Sequence, residues 1–97
     1  MYSQMQGQNE HILSKQLLRA GTSIGANVEE ASAAQSRKDF AAKMAISSKE
    51  ARETHYWLRL IRDSQLCINI DVVSLIQQCE ELIRILTAIV KTAQKNY

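Results

Sequence analysis

A chain of 97 residues with net charge +2, 45% hydrophobic residues, three glycines and no proline holds material for one core and little for turns. Those proportions favour long uninterrupted helices over a sheet protein full of turns, in a single domain spanning 1–97. The small positive balance permits nucleic-acid binding without arguing for it, so the placement of charge matters more than its sum.

Residues 1–9 are polar, with Met1, Tyr2 and Met5 as the sizeable apolar side chains. They read as a frayed tail or as the final turns of a helix, about residues 1–6. From there Leu13, Leu17, Ala20, Ile24, Asn27, Ala31 and Ala34 step by four and three. That spacing keeps one side of a helix against a partner, and it predicts a helix over 9–34. Gly21 and Gly25 lie inside it, among Ala20, Ser23 and Ala26. Each interior glycine costs roughly 1 kcal/mol relative to alanine, so the pair implies close approach of another backbone as its compensation. A phosphate-cradling loop fails on spacing, because GTSIGA lacks both the Lys-Ser/Thr ending of a P-loop and the G-x-G-x-x-G of a dinucleotide fold. Asn27 falls on the seam, where a buried amide is expected to bond across to a neighbouring helix and set register.

Ser36, with Asp39 three residues on, makes a capping-box-like start for a second helix over 36–64. The turn before it is a residue or two long, which places the first two helices antiparallel. The central helix has three faces. Phe40, Met44, Ser47, Ala51, Thr54, Leu58 and Ile61 form its seam. Ile46, Trp57 and Leu60 lie a quarter turn away with Glu50 and Glu53 among them, so burying the seam leaves them uncovered. Ile46, Glu53, Trp57 and Leu60 are therefore the candidate oligomer interface. Opposite the seam run Lys38, Lys49, Arg52, Tyr56 and Arg59, which must meet solvent or a charged partner.

The stretch 65–70 breaks the period, and a last helix over 71–95 follows. Its seam of Val72, Ile76, Cys79, Ile83, Leu86, Val90 and Ala93 is widened by Leu75, Leu82, Ile85, Ala88 and Ile89. A stripe that wide exceeds what a two-layer bundle helix buries, so a neighbouring subunit or a fourth helix must cover it. Glu80 and Arg84 are spaced as an i,i+4 ion pair.

No catalytic set emerges. His11 and His55 are far apart, neither belongs to H-E-x-x-H, and the Glu53–His55 spacing of two points the side chains apart, so no metal and no cofactor is expected. Cys79 on the seam reads as a small buried apolar side chain, and Cys67 has no base beside it. Two thiols without C-x-x-C spacing suit a reducing, cytoplasmic setting. No run is long enough to span a membrane, and the first residues lack a signal-peptide pattern.

The segments LSKQLLRAGTSIGANVEEA (13–31), AQSRKDFAAKMAIS after it, KEARETHYWLRLI (49–61) and CEELIRILTAIVKTA (79–93) closely resemble the proteins encoded in 23S ribosomal RNA intervening sequences, the S23 family. The resemblance covers the chain from Leu13 onward. It implies an antiparallel up-and-down four-helix bundle, here with a truncated or short first helix, assembled as a homopentamer without enzymatic activity. Similar proteins include the accessory variability determinants of diversity-generating retroelements, which implies RNA, DNA or a nucleic-acid-processing protein as a partner.

Two non-enzymatic functions follow. In the first, a homo-oligomer touches phosphates through Lys38, Lys49, Arg52 and Arg59 while Tyr56 stacks on a base. In the second, the same charges are a solvated helix face and the protein is an adaptor for other proteins.

Overall fold

The three heptad series become three helices. The computed structural model describes residues 2–64 and 71–95, and within them the side chains from residue 11 onward. Helix α1 spans Tyr2–Ser32, α2 Arg37–Ser64 and α3 Val72–Lys95. The described residues thus form an all-α fold of three helices, which corrects the four-helix bundle that the family resemblance implies. The expected remnant at 1–6 and the helix at 9–34 are not separate elements, for α1 runs through both. Gly7 is the weak point between them, and one helical glycine costs roughly 1 kcal/mol, too little to end a helix with no proline near it.

α1 stops at Ser32, and residues 33–36 make the connection, a longer turn than the spacing suggests. The amides of Ala33 and Ala34 donate to the carbonyls of Glu30 and Ala31, a tightening that satisfies the last carbonyls of the helix. Ser36 then accepts from the Asp39 amide at 3.0 Å, capping α2 as its position implies. Asp71 does the same for α3, accepting from the Ser74 amide at 3.1 Å.

α2 lies in the middle, with α1 on one flank and α3 on the other, and α1 and α3 make no close backbone approach to each other. Both pairs are antiparallel: Glu30 meets Lys43 while Arg19 meets Glu50, and Thr87 meets Arg52 while Glu80 meets His55. The seam of α2 buries Met44, Ser47, Ala51, Leu58 and Ile61. One apolar cluster joins Ile24, Ala31, Met44, Ala51 and Leu86; a second joins Leu58, Ile76 and Cys79, with Leu17 and Leu75 against it. Ala51 is fully buried, and a larger side chain there would push the flanking helices apart.

Such a fold is long and thin. The Cα radius of gyration is 15.8 Å, against about 12.5 Å for a compact domain of this length.

Candidate nucleic-acid interface

The charges of α2 divide according to which neighbour they meet. Toward α1 they are neutralised. Arg19 bonds the Glu53 carboxylate and stands 3.5 Å from Glu50, and Lys43 pairs with Glu30 at 2.9 Å. The Arg19 guanidinium, aided by the Trp57 ring N–H at 3.3 Å, holds the Glu53 carboxyl below its usual range. Glu50 Oε2 is sealed from solvent without a hydrogen bond among the described residues, so Arg19 is its compensating charge.

Toward α3 the balance is basic. Arg52 Nη2 donates to Thr87 Oγ1 at 3.0 Å, which fixes that guanidinium beside α3. A shallow cleft of about 380 Å³ between α2 and α3 is lined by Arg52, His55, Arg59, Glu80, Ile83 and Arg84. His55 Nε2 lies 3.4 Å from Glu80, and Arg59 Nε donates to the His55 carbonyl at 3.4 Å. Glu80 therefore turns to α2 rather than to the Arg84 that its spacing suggests. Lys38 and Lys49 are exposed on the adjoining outer side of α2, and Lys91 follows Arg84 along α3. Among the described residues none of Lys38, Lys49, Arg52, Arg59, Arg84 and Lys91 is paired with a carboxylate. Tyr56 is 48% exposed, and its ring meets Trp57 edge-on with centroids 5.1 Å apart.

The structure therefore groups Arg52 and Arg59 with two residues outside the α2 stripe, His55 and Arg84. His55 sits only 40° round from Ala51, the middle of the seam, and Arg84 reaches the cleft because of how α3 docks. The first can be counted along α2 itself, whereas the second is not local to the sequence around the stripe.

The four residues of the expected oligomer interface also lie together on α2. Ile46 is 41% exposed, Leu60 and Trp57 are half-buried, and Glu53 is already engaged by Arg19 and Trp57 within the chain.

The small residues of α1 are placed otherwise than their spacing suggests. A Cβ added at Gly21 or Gly25 would meet nothing within 4 Å, so no backbone among the described residues makes the expected close approach. Asn27 does not bridge helices; its amide donates to the Ser23 carbonyl at 2.9 Å in its own helix. The cross-helix bond belongs to Ser47, whose buried hydroxyl donates to the Ile24 carbonyl at 3.0 Å. Gly21 lines an open apolar groove of about 680 Å³, walled by Leu17 and Leu18 of α1 and Leu75 and Leu82 of α3, with Leu58 and Ile61 as its floor. Of the wide stripe of α3, Leu75, Cys79 and Leu82 face this space, while Ile83 lines the α2/α3 cleft.

The cysteine among the described residues is not set up as a nucleophile. Cys79 is buried, its thiol donates to the Ala51 carbonyl at 3.2 Å, and burial pushes its pKa up, the reverse of an activated nucleophile. Cys67 lies outside the described residues. No three of His, Cys, Asp and Glu gather into a metal-binding group among the described residues, and no described helix is long and apolar enough to cross a membrane.

Comparison with known proteins adds two findings. Residues 1–88 match the family of 23S rRNA-intervening sequence proteins. The chain is also similar to a protein of unknown function from the S23 ribosomal protein family of Bacteroides thetaiotaomicron VPI-5482, seen in a crystal structure. That chain is 45% identical with a TM-score of 0.79, over 87% of this chain and 78% of the other. No curated protein matches.

Proposed function

The chain belongs to the 23S rRNA-intervening sequence protein family, and we propose that it is a non-enzymatic, self-associating helical protein that holds a nucleic-acid backbone on the α2/α3 face. The observation that carries this reading is the segregation of charge. Acids compensate the bases on the α1 side of α2, whereas Arg52, Arg59 and Arg84 share one cleft with Glu80 as its one carboxylate. Guanidinium groups suit phosphate oxygens, and Arg52 is already held in place by Thr87, so little side-chain freedom is lost on binding. Exposed Tyr56 adjoins the basic side, where it offers a stacking surface to an unpaired base. Self-association is supported by the apolar surface left open, both in the groove between α1 and α3 and at Ile46 on α2.

The test is fluorescence anisotropy with a short labelled RNA strand and a short labelled DNA duplex across a salt series. Binding that weakens steadily with salt, with a slope lowered by about one for Arg59→Glu or Arg84→Glu, supports the reading. No binding, or binding indifferent to both substitutions, removes the nucleic-acid role and leaves the adaptor function.

A further inference from the structure

The α2/α3 cleft contains a contact that phosphate binding by arginines does not explain. His55 Nε2 stands 3.4 Å from Glu80, the one carboxylate of the lining, and both share the cleft with Arg52, Arg59 and Arg84. The imidazole is largely covered, at 18% exposure, while the carboxylate is half-exposed. Histidine is the side chain whose charge changes between about pH 5 and 8, so the contact is either a neutral ring beside an anion or an ion pair. The arginines feel the difference. Beside a neutral ring, the guanidinium groups of the cleft are left to balance Glu80, and the carboxylate competes with a phosphate for them. A protonated ring meets Glu80 with its own charge and adds a further positive charge to the cleft.

We infer that the His55 and Glu80 pair makes phosphate binding in this cleft proton-linked: the protonated ring holds the carboxylate and leaves Arg52, Arg59 and Arg84 to the nucleic-acid backbone. The groups around the ring fix the sign. On α2, Arg52 and Arg59 line the same cleft, and Arg62 lies within reach of the Glu80 charge although its guanidinium bonds Asp63. On α3 stand Glu80 and Arg84, with the Cys79 thiol buried behind them and bonded to the Ala51 carbonyl. No lining residue comes from α1 among the described residues. Bases therefore outnumber acids at the site. Phosphates bound there add negative charge, which favours the protonated ring, and by reciprocity the protonated ring favours phosphates. Binding takes up a proton, so acid tightens it.

This inference rests on the nucleic-acid reading above and supplies its regulation. The experiment is anisotropy of a short oligouridine, whose bases do not titrate in this range, carrying a label insensitive to pH. It is run at several salt concentrations between about pH 8 and about pH 5 for wild type, His55→Gln, Glu80→Gln and His11→Gln. His11 is exposed on α1, outside the cleft, and controls for a histidine titrating elsewhere. Wild type should bind roughly fivefold more tightly at the acid end, the effect of one further phosphate contact at moderate salt, and His11→Gln should follow it. His55→Gln should keep the alkaline affinity of wild type throughout, and Glu80→Gln should bind more tightly than wild type at the alkaline end. Circular dichroism checks that helix content is kept. Salt-dependent binding with a flat pH profile in wild type, a profile that His55→Gln retains or His11→Gln abolishes, or no gain from Glu80→Gln overturns the proton linkage and leaves the nucleic-acid reading standing. Absence of salt-dependent binding at every pH overturns both.

Discussion

Arg19 serves two carboxylates of α2 at once, Glu53 by a hydrogen bond and Glu50 by charge at 3.5 Å. Its removal should be felt through pH as much as through stability. The Glu53 carboxyl is held below its ordinary value in the folded chain, first by Arg19 and then by the Trp57 N–H. A depressed carboxylate contributes stability above its unfolded pKa, and the contribution disappears as pH falls through the lower, folded value. Arg19→Met should therefore lower the thermal midpoint at neutral pH, and the gap from wild type should close in acid, measured by thermal unfolding from neutral to strongly acidic buffer. A gap that persists in acid would mean that lost packing, not charge, is responsible. The glycines of α1 allow a direct test. With no atom within 4 Å of an added Cβ, Gly21→Ala should stabilise α1 by about 1 kcal/mol, measured by denaturant titration. A loss of stability instead would mean that a surface outside the described chain lies against α1 at that point.

At the scale of the helices, caps and seams carry the architecture. Ser36 accepts the Asp39 amide at the start of α2, and Ser36→Ala should destabilise the fold by about 1 kcal/mol, read from urea unfolding, with the helix signal of the native baseline unchanged. The same features were the most legible in the sequence, and for a physical reason. A heptad seam such as Met44, Ser47, Ala51, Leu58 and Ile61 is written within one helix, and a cap within one turn, so neither needs knowledge of a neighbour. Asn27 could not be read this way. Its position on the seam is local, but its amide turns back to the Ser23 carbonyl of its own helix, and the cross-helix bond is made by Ser47 to the Ile24 carbonyl, a pairing set by how α2 docks on α1. The same holds for the ion cluster of Arg19, Glu50 and Glu53, and for Arg84 beside Arg52 and Arg59, because each depends on the docking of helices far apart in the chain. The helix count failed for a different reason. Family resemblance supplied a fourth helix, while the chain's own Gly7 was too weak a break to divide α1.

The whole molecule carries a basic face and an apolar groove, and the two surfaces lie on different sides of α2. Groove residues Leu58 and Ile61 belong to the buried seam, whereas Arg52 and Arg59 open outward between α2 and α3. Under the self-association proposed above, an assembly would present one basic face from each chain. A nucleic acid long enough to reach both should gain by effective concentration, since the second contact becomes intramolecular once the first is made. A strand that spans only one face gains nothing. Affinity at fixed salt should consequently rise in a step with probe length, and the step should be lost in Leu60→Glu, a substitution at the expected oligomer interface, while the affinity for the shortest probe stays at its wild-type value. Arg84→Glu should do the reverse, weakening short and long probes alike and leaving the step in place, because it removes a phosphate contact from every face without touching the interface. A length series of labelled RNA strands titrated against the three proteins distinguishes these patterns, and a smooth rise that Leu60→Glu leaves unaltered would separate the basic face from any assembly of copies.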